Sequence, residues 1–261
     1  DLATLDAGLA LAQSQFSGAR VREADSLAGA LRDSFESVLG PLHPRLADVA
    51  ELLGLIVKNY RGLQAYDVAI RHYDVALRLR SATEGPTSLG MAATLHELGN
   101  LHRAAGHPTE AFSLFATALA IRRSHFGPVH DRVASSLGAM AYLRSSQLRW
   151  AEAEQLSRAA IAATPSGAGA PPKSLAARVG LRGTMLRRLE RFAEAIPVLR
   201  EGVALSESAW VRTPRDAGSA IVSGLSLYRE LAIALAATGH GDEALEKFDR
   251  GAGRLLVERL V

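Results

Sequence analysis

Alanine and glycine recur along this chain at positions that predict paired, closely packed helices. Apolar and polar residues nowhere alternate over several positions, so the sequence predicts helices and no strands. A segment with alanine at its start and, in most copies, an apolar side chain four residues later recurs, mostly at intervals of 42 residues. Its copies are marked by six alanines, namely Ala24, Ala69, Ala111, Ala153, Ala195 and Ala244. This repetition predicts an array of similar helical units.

Two further columns of mostly small residues predict where the helices touch. One lies 12 residues before each alanine, at Ala12, Val57, Gly99, Ala141, Gly183 and Ala232. The other lies seven residues after it, at Leu31, Ala76, Ala118, Ala160, Gly202 and Gly251. Antiparallel helices approach closely only where side chains are small. The first two columns therefore predict contact between helices A and B of one repeat, and the third predicts contact with the next repeat.

Glycine and proline mark the ends of the repeats. Gly40-Pro41, Gly85-Pro86 and Gly127-Pro128 close three repeats, residues 165–172 form a fourth break, and an insertion near 210–215 forms a fifth. We therefore expect twelve helices in six helix–turn–helix pairs. The expected domain is a single solenoid over residues 1–261, with repeats at roughly 1–40, 41–85, 86–127, 128–169, 170–213 and 214–261.

Larger side chains occupy matching positions between the small residues, and we expect them to form the core. One position, four residues after the alanine column, holds Tyr73, Phe115, Leu199 and Phe248. A second position, at the turn between helices A and B, holds Tyr66, Trp150 and Phe192. Apolar side chains at regular helical spacing predict packing rather than ligand binding.

The combined pattern resembles the tetratricopeptide repeat (TPR), whose unit carries a small residue, then alanine, an aromatic residue and a second alanine in fixed register. The 42-residue period with Gly-Pro after helix B is similar to the longer repeats of kinesin light chains and of many bacterial proteins. The clearest copy runs from Leu95 to His130. The resemblance implies an all-α, right-handed superhelix that binds a partner protein or peptide in a concave groove lined by the A helices.

The composition is that of a folded protein, with 48% hydrophobic and 22% charged residues. The chain contains no cysteine, which excludes disulfides and thiolate chemistry and fits a reducing, cytoplasmic compartment. No apolar run reaches the length of a membrane span, so we expect no membrane partner. Because the chain begins at Asp1 within a predicted helix, we expect it to be a fragment of a longer protein.

The sequence offers no recognisable catalytic or cofactor motif. It lacks the nucleophile-elbow, phosphate-loop and zinc-protease patterns, so we expect a non-enzyme without a cofactor. His125 and His130 flank a turn, and His96 and His102 are six residues apart, so neither pair has the spacing of metal ligands on one helical face. The net charge of +3 is small and dispersed, which disfavours nucleic acid as a partner.

The candidate binding site is the predicted groove. In TPR folds, its surface is formed by A-helix positions one, two, five and eight residues after the first core position. In the fourth repeat these positions hold Gly138, Ala139, Tyr142 and Ser145, and in the fifth they hold Gly180, Leu181, Thr184 and Arg187. The candidate groove residues are Lys58, Arg61, His96, Glu97, Asn100, Arg103, Tyr142, Arg187, Arg188 and Arg229. Their charge favours either an acidic, carboxylate-bearing peptide or a generic solvated surface.

A second resemblance concerns the last helix. Residues 243–260, with Asp249-Arg250, Arg254 and Leu255-Leu256, resemble the helix that precedes the caspase-like CHAT peptidase domain in bacterial TPR–CHAT proteins. The resemblance implies that the repeats are the regulatory array of a larger enzyme, a CHAT protease. A bacterial signalling ATPase is the alternative candidate for that larger enzyme. Three hypotheses therefore remain: a binding scaffold, the regulatory region of a larger enzyme, and a basic nucleic-acid module.

Overall fold

A computed structural model of the chain describes residues 2–61, 65–165, 172–212 and 217–258, with side chains described for 2–59, 65–165, 174–208 and 226–250. These residues form twelve α-helices and no strand, which confirms the predicted all-α class. The helices are α1 (Leu2–Ser17), α2 (Val21–Leu39), α3 (Arg45–Arg61), α4 (Tyr66–Thr83), α5 (Leu89–Ala104), α6 (Pro108–Phe126), α7 (Asp131–Ser146), α8 (Trp150–Ala162), α9 (Pro172–Arg188), α10 (Phe192–Arg212), α11 (Ala217–Ala237) and α12 (Gly241–Glu258).

The chain divides into two compact units. Unit 1 comprises Asp1–His125 and contains the first six helices, and unit 2 comprises Phe126–Val261 and contains the last six. Each predicted repeat contains one pair of helices, an A helix followed by a B helix. Because the chain forms two units that are each compact, the single solenoid over residues 1–261 and its repeat boundaries stay predictions.

The columns of small residues lie where helices meet. All six alanines of the first column are buried, from Ala24 at 0% to Ala244 at 7% exposure. A Cβ atom added to Gly99 would stand 2.7 Å from the Phe115 ring, and one added to Gly183 would stand 2.7 Å from Leu199. These glycines therefore admit the large side chain of the paired B helix. The predicted contact between helices A and B is confirmed at both positions.

The five described turns between A and B helices share a backbone feature that the sequence pattern did not reveal. One residue of the turn has a positive φ, and the next N–H bonds to a carbonyl five residues earlier, as in a Schellman motif. The positive-φ residues are Ala19, Gly106, Leu148, Glu190 and Gly239. Three of them are not glycine, so repeat geometry overrides the residue preference.

One predicted core residue is not in the core. Tyr73, Phe115 and Leu199 are at most 1% exposed, whereas Phe248 at the matching position of α12 is 55% exposed. In the inner repeats this side chain lies in a cluster formed with neighbouring helices; Tyr73, for example, packs with Leu98 and Leu101 of α5. No described helix follows α12 to cover Phe248 in this way. The expectation that Phe248 is buried was therefore wrong.

Candidate functional site

A cavity of about 490 Å³ opens on the A helices of unit 2. Helices α7, α9 and α11 supply most of its wall, and α10 adds Ser206. The lining residues are Ser135, Gly138, Tyr142, Ser174, Ala176, Ala177, Arg178, Gly180, Leu181, Thr184, Ser206, Ser226 and Leu227. Among the groove positions predicted from the repeat register, Gly138, Tyr142, Gly180, Leu181 and Thr184 line this cavity. We call this cavity the unit-2 groove.

Two glycines of the unit-2 groove differ in what surrounds them. A Cβ atom added to Gly180 would stand 2.5 Å from the Leu227 side chain, so this glycine lets α9 and α11 pack closely. A Cβ atom added to Gly138 would meet nothing within 4 Å. The absent side chain of Gly138 therefore leaves open space in the groove instead of serving helix packing.

Three arginines on α9 are bound to acidic side chains of neighbouring elements. The Arg178 guanidinium donates to Asp131 Oδ1 at 2.9 Å and to Thr164 Oγ1 at 3.0 Å. Arg182 pairs with Glu154 at 3.1 Å, and Arg187 pairs with the buried carboxylate of Glu230. Arg187 was predicted as a groove cation, and the structure places its charge in this internal ion pair.

The two other predicted arginines of unit 2 are exposed. Arg188 lies over the Trp150 ring, 5.6 Å from its centroid, in a cation–π contact. Arg229 is 64% exposed and its guanidinium lies 3.7 Å from Glu230. Glu230 thus lies near both Arg187 and Arg229. Neither Arg188 nor Arg229 lines the unit-2 groove.

The remaining predicted residues belong to α3 and α5 of unit 1. Lys58, Glu97, Asn100 and Arg103 are half-buried, and the amide of Asn100 donates to Glu97 at 3.5 Å. The side chain of Arg61 lies outside the described residues. The role of these residues in partner binding stays a prediction.

His96 is packed against hydrophobic surface. Its ring lies 5.2 Å from the Phe115 ring, and its buried Nδ1 atom has no hydrogen-bond partner among the described residues. Burial, reinforced by the positive charge of Arg122, lowers the pKa of His96 to about 4. His96 is therefore neutral at pH 7 and adds no charge to the groove.

This lowered pKa predicts an acid-sensitive contribution to stability. The unfolded chain binds a proton at His96 near pH 6.5, whereas the folded chain does so only near pH 4, so stability is lost as the pH falls between these values. Acidification from pH 7 to about 4.5 should cost roughly 2 kcal/mol more in the wild type than in His96→Phe. Urea unfolding at both pH values measures this difference, and an equal loss in both proteins would contradict it.

Among the described residues, no group of three or more His, Asp or Glu side chains is arranged to hold a metal ion. In the same part of the chain, no helix is both long and apolar enough to cross a membrane.

The sequence pattern did not predict Arg178, Ser206 and Ser226 as groove residues, because they fall outside the A-helix positions that the repeat register assigns to the groove.

The paired helices and their columns of small residues define an α-helical repeat protein built from helix–turn–helix units. Residues 48–124 match the tetratricopeptide repeat family. They extend from α3 to α6 and include most of the copy from Leu95 to His130. Residues 48–124 are thus similar to tetratricopeptide repeats. No curated protein has a matching sequence.

Solved structures with the same fold extend the comparison. A putative kinesin light chain from Podosopora anserina with TPR-like repeats is 20% identical, with a TM-score of 0.64, and the match covers 84% of this chain and 99% of that one. BtubC (BKLC) from P. vanneervenii is 18% identical at a TM-score of 0.68, covering 76% and 78%. The apo form of RapI is 11% identical at a TM-score of 0.63, covering 99% and 100%. The predicted fold of kinesin-light-chain-like repeats is confirmed.

Proposed function

We propose that this chain is a cytoplasmic protein–protein interaction scaffold that binds a segment of a partner protein in the unit-2 groove. The observation that carries the proposal is the cavity on α7, α9 and α11, whose lining includes the A-helix positions expected to face a ligand. Concave, largely apolar cavities of about 300–1,000 Å³ are typical of binding sites. The lining offers hydroxyl, aromatic and aliphatic groups and no pair of residues suited to acid–base chemistry.

Filling the groove tests this proposal. Gly138→Leu places a side chain in open space, and because leucine favours helix over glycine, the variant should be as stable as the wild type or more stable by about 0.5–1 kcal/mol. We expect it to lose partner proteins that the wild type captures from a lysate of the source cells. Quantitative mass spectrometry of the captured proteins measures this loss, and thermal unfolding verifies the fold.

Gly29→Leu is the matched control. Gly29 lies on α2, and a Cβ atom added there also meets nothing within 4 Å. The control therefore makes the same substitution at an open helical position remote in sequence from the groove. It should retain every captured partner, and retention of the same partners by Gly138→Leu would contradict binding in the unit-2 groove.

A second candidate function is the regulatory array of a larger enzyme, for which a CHAT-family peptidase is the specific proposal. Supporting it are the resemblance of residues 243–260 to the helix before such domains and the exposure of Leu245 and Phe248 on α12, at 64% and 55%. Apolar side chains three residues apart on one helix form a surface that another domain could cover. The complete gene sequence tests this candidate, since the peptidase's His and Cys would have to be encoded after residue 261.

A further inference from the structure

We infer that the unit-2 groove selects an uncharged peptide segment and binds one bulky apolar side chain of it between α7 and α9. This inference rests on the proposed function and adds the chemistry of the ligand. It departs from the acidic peptide that the arginine-rich A helices suggest. Three properties of the groove support it: the pairing of its cations, the shape of its wall and the kind of polar group that it presents.

The pairing of the cations argues against recognition of a carboxylate. Among the described residues, the wall contains one arginine, Arg178, which is 8% exposed and already bonded to Asp131 and Thr164. Further along the same helix, Arg187 is paired with Glu230, which is 5% exposed. A ligand carboxylate would have to compete with Asp131 for Arg178 and with Glu230 for Arg187. Both guanidiniums are largely buried and already paired with these acids, so the two arginines serve the fold.

The shape of the wall favours an apolar side chain. Leu181 and Leu227 contribute aliphatic surface, Ala176 adds a small apolar side chain, and Tyr142, which is 53% exposed, contributes an aromatic ring. Gly138 leaves the space beside them unfilled. Transfer of a leucine, methionine or phenylalanine side chain from water to such a surface is favourable, whereas transfer of a charged group is not.

The polar groups of the wall match a peptide backbone. The groove is lined with hydroxyl groups from three A helices and one B helix, namely those of Ser135, Ser174, Thr184, Ser206 and Ser226. A hydroxyl oxygen accepts as well as donates; Thr184, for instance, donates to the carbonyl of Gly180 at 3.0 Å and keeps its lone pairs as acceptors. Such groups complement the N–H and C=O of a neutral segment.

Selection from a random peptide library displayed on phage tests the inference. Peptides are selected in parallel on the wild type and on Gly138→Leu, and both pools are sequenced. We expect the wild type alone to enrich peptides with Leu, Met or Phe flanked by uncharged residues. Replacement of that apolar residue by glutamate in a synthetic selected peptide should weaken binding about ten- to hundredfold in fluorescence anisotropy. Added salt should change the affinity little.

The outcomes separate this inference from the proposed function. Enrichment of acidic peptides by the wild type but not by Gly138→Leu would overturn the apolar specificity and leave the groove as the binding site. Enrichment of the same peptides by both proteins would exclude the groove and with it the proposed function. Absence of enrichment by the wild type would count against peptide binding in the groove and so against both.

Discussion

Phe115→Ala is expected to destabilise the protein by about 3–5 kcal/mol, the cost of removing a fully buried aromatic side chain and leaving a cavity. Phe115 is 0% exposed and its ring fills the space above Gly99, which has no side chain to move into the gap. The ring also supports His96, whose centroid lies 5.2 Å away. Urea unfolding monitored by circular dichroism measures the free energy of unfolding.

Phe248→Ala is the matched control, because Phe248 occupies the same position of the repeat and is 55% exposed. The same substitution there should cost less than about 1 kcal/mol, since little apolar surface is lost from the interior. Equal losses at Phe115 and Phe248 would mean that burial does not set the cost and that the repeat register is wrong. The pair thus separates the effect of position in the repeat from the effect of burial.

The fold was predictable because its determinants repeat. Most copies place small residues such as Ala111 and Gly99 where two helices touch, and four of the six place a large one such as Phe115 beside them, so several copies report the same geometry. The exposure of Phe248 was not predictable from one copy, because burial depends on what packs next to the repeat. Repeat arrays bury their faces against neighbours, and no helix of the described residues packs on this face of α12 after it.

The location of the groove was partly predictable, and the state of its charges was not. Helical register assigned Gly138, Tyr142, Leu181 and Thr184 to one surface, where the structure places them. The same register assigned Arg187 there as a free cation, but its partner Glu230 lies 43 residues away on α11. Which acid reaches which arginine depends on side-chain directions between adjacent repeats, and the periodicity of one helix carries no information on that.

A hydrogen bond that changes direction between repeats shows the same limit. In unit 1, Arg80 of α4 donates to Thr94 of α5 at 3.0 Å. In unit 2, the residues 84 positions later are Thr164 and Arg178, and Arg178 donates to Thr164 at 3.0 Å. The arginine and the threonine have exchanged positions between the two repeats. The hydrogen bond is therefore kept although the residue type at each of the two positions differs. A search for identical residues in register therefore misses this contact.

Arg80 holds the most extensive ion-pair network of the described residues. It is 8% exposed, and its guanidinium binds Asp48 at 2.7 Å, Glu51 at 3.0 Å and Glu84 at 2.6 Å. Two of the acids lie on α3 and the third, Glu84, caps the end of α4, so a single cation offsets their mutual repulsion. The network joins the second repeat to the third through Thr94, whose hydroxyl also bonds to Glu51.

Arg80→Met should therefore cost about 3 kcal/mol in the free energy of unfolding, because it leaves three partly buried carboxylates without their shared partner. Arg200→Met is the matched control: Arg200 is 50% exposed and pairs only with Glu243 among the described residues, so its loss should cost less than about 1 kcal/mol. Arg80→Lys keeps the charge but not the fork of donors, and its stability should fall between those of wild type and Arg80→Met. Equal unfolding free energies for Arg80→Met and Arg200→Met would mean that the network contributes no more than a solvated surface pair, and that small-residue packing alone holds the second and third repeats together.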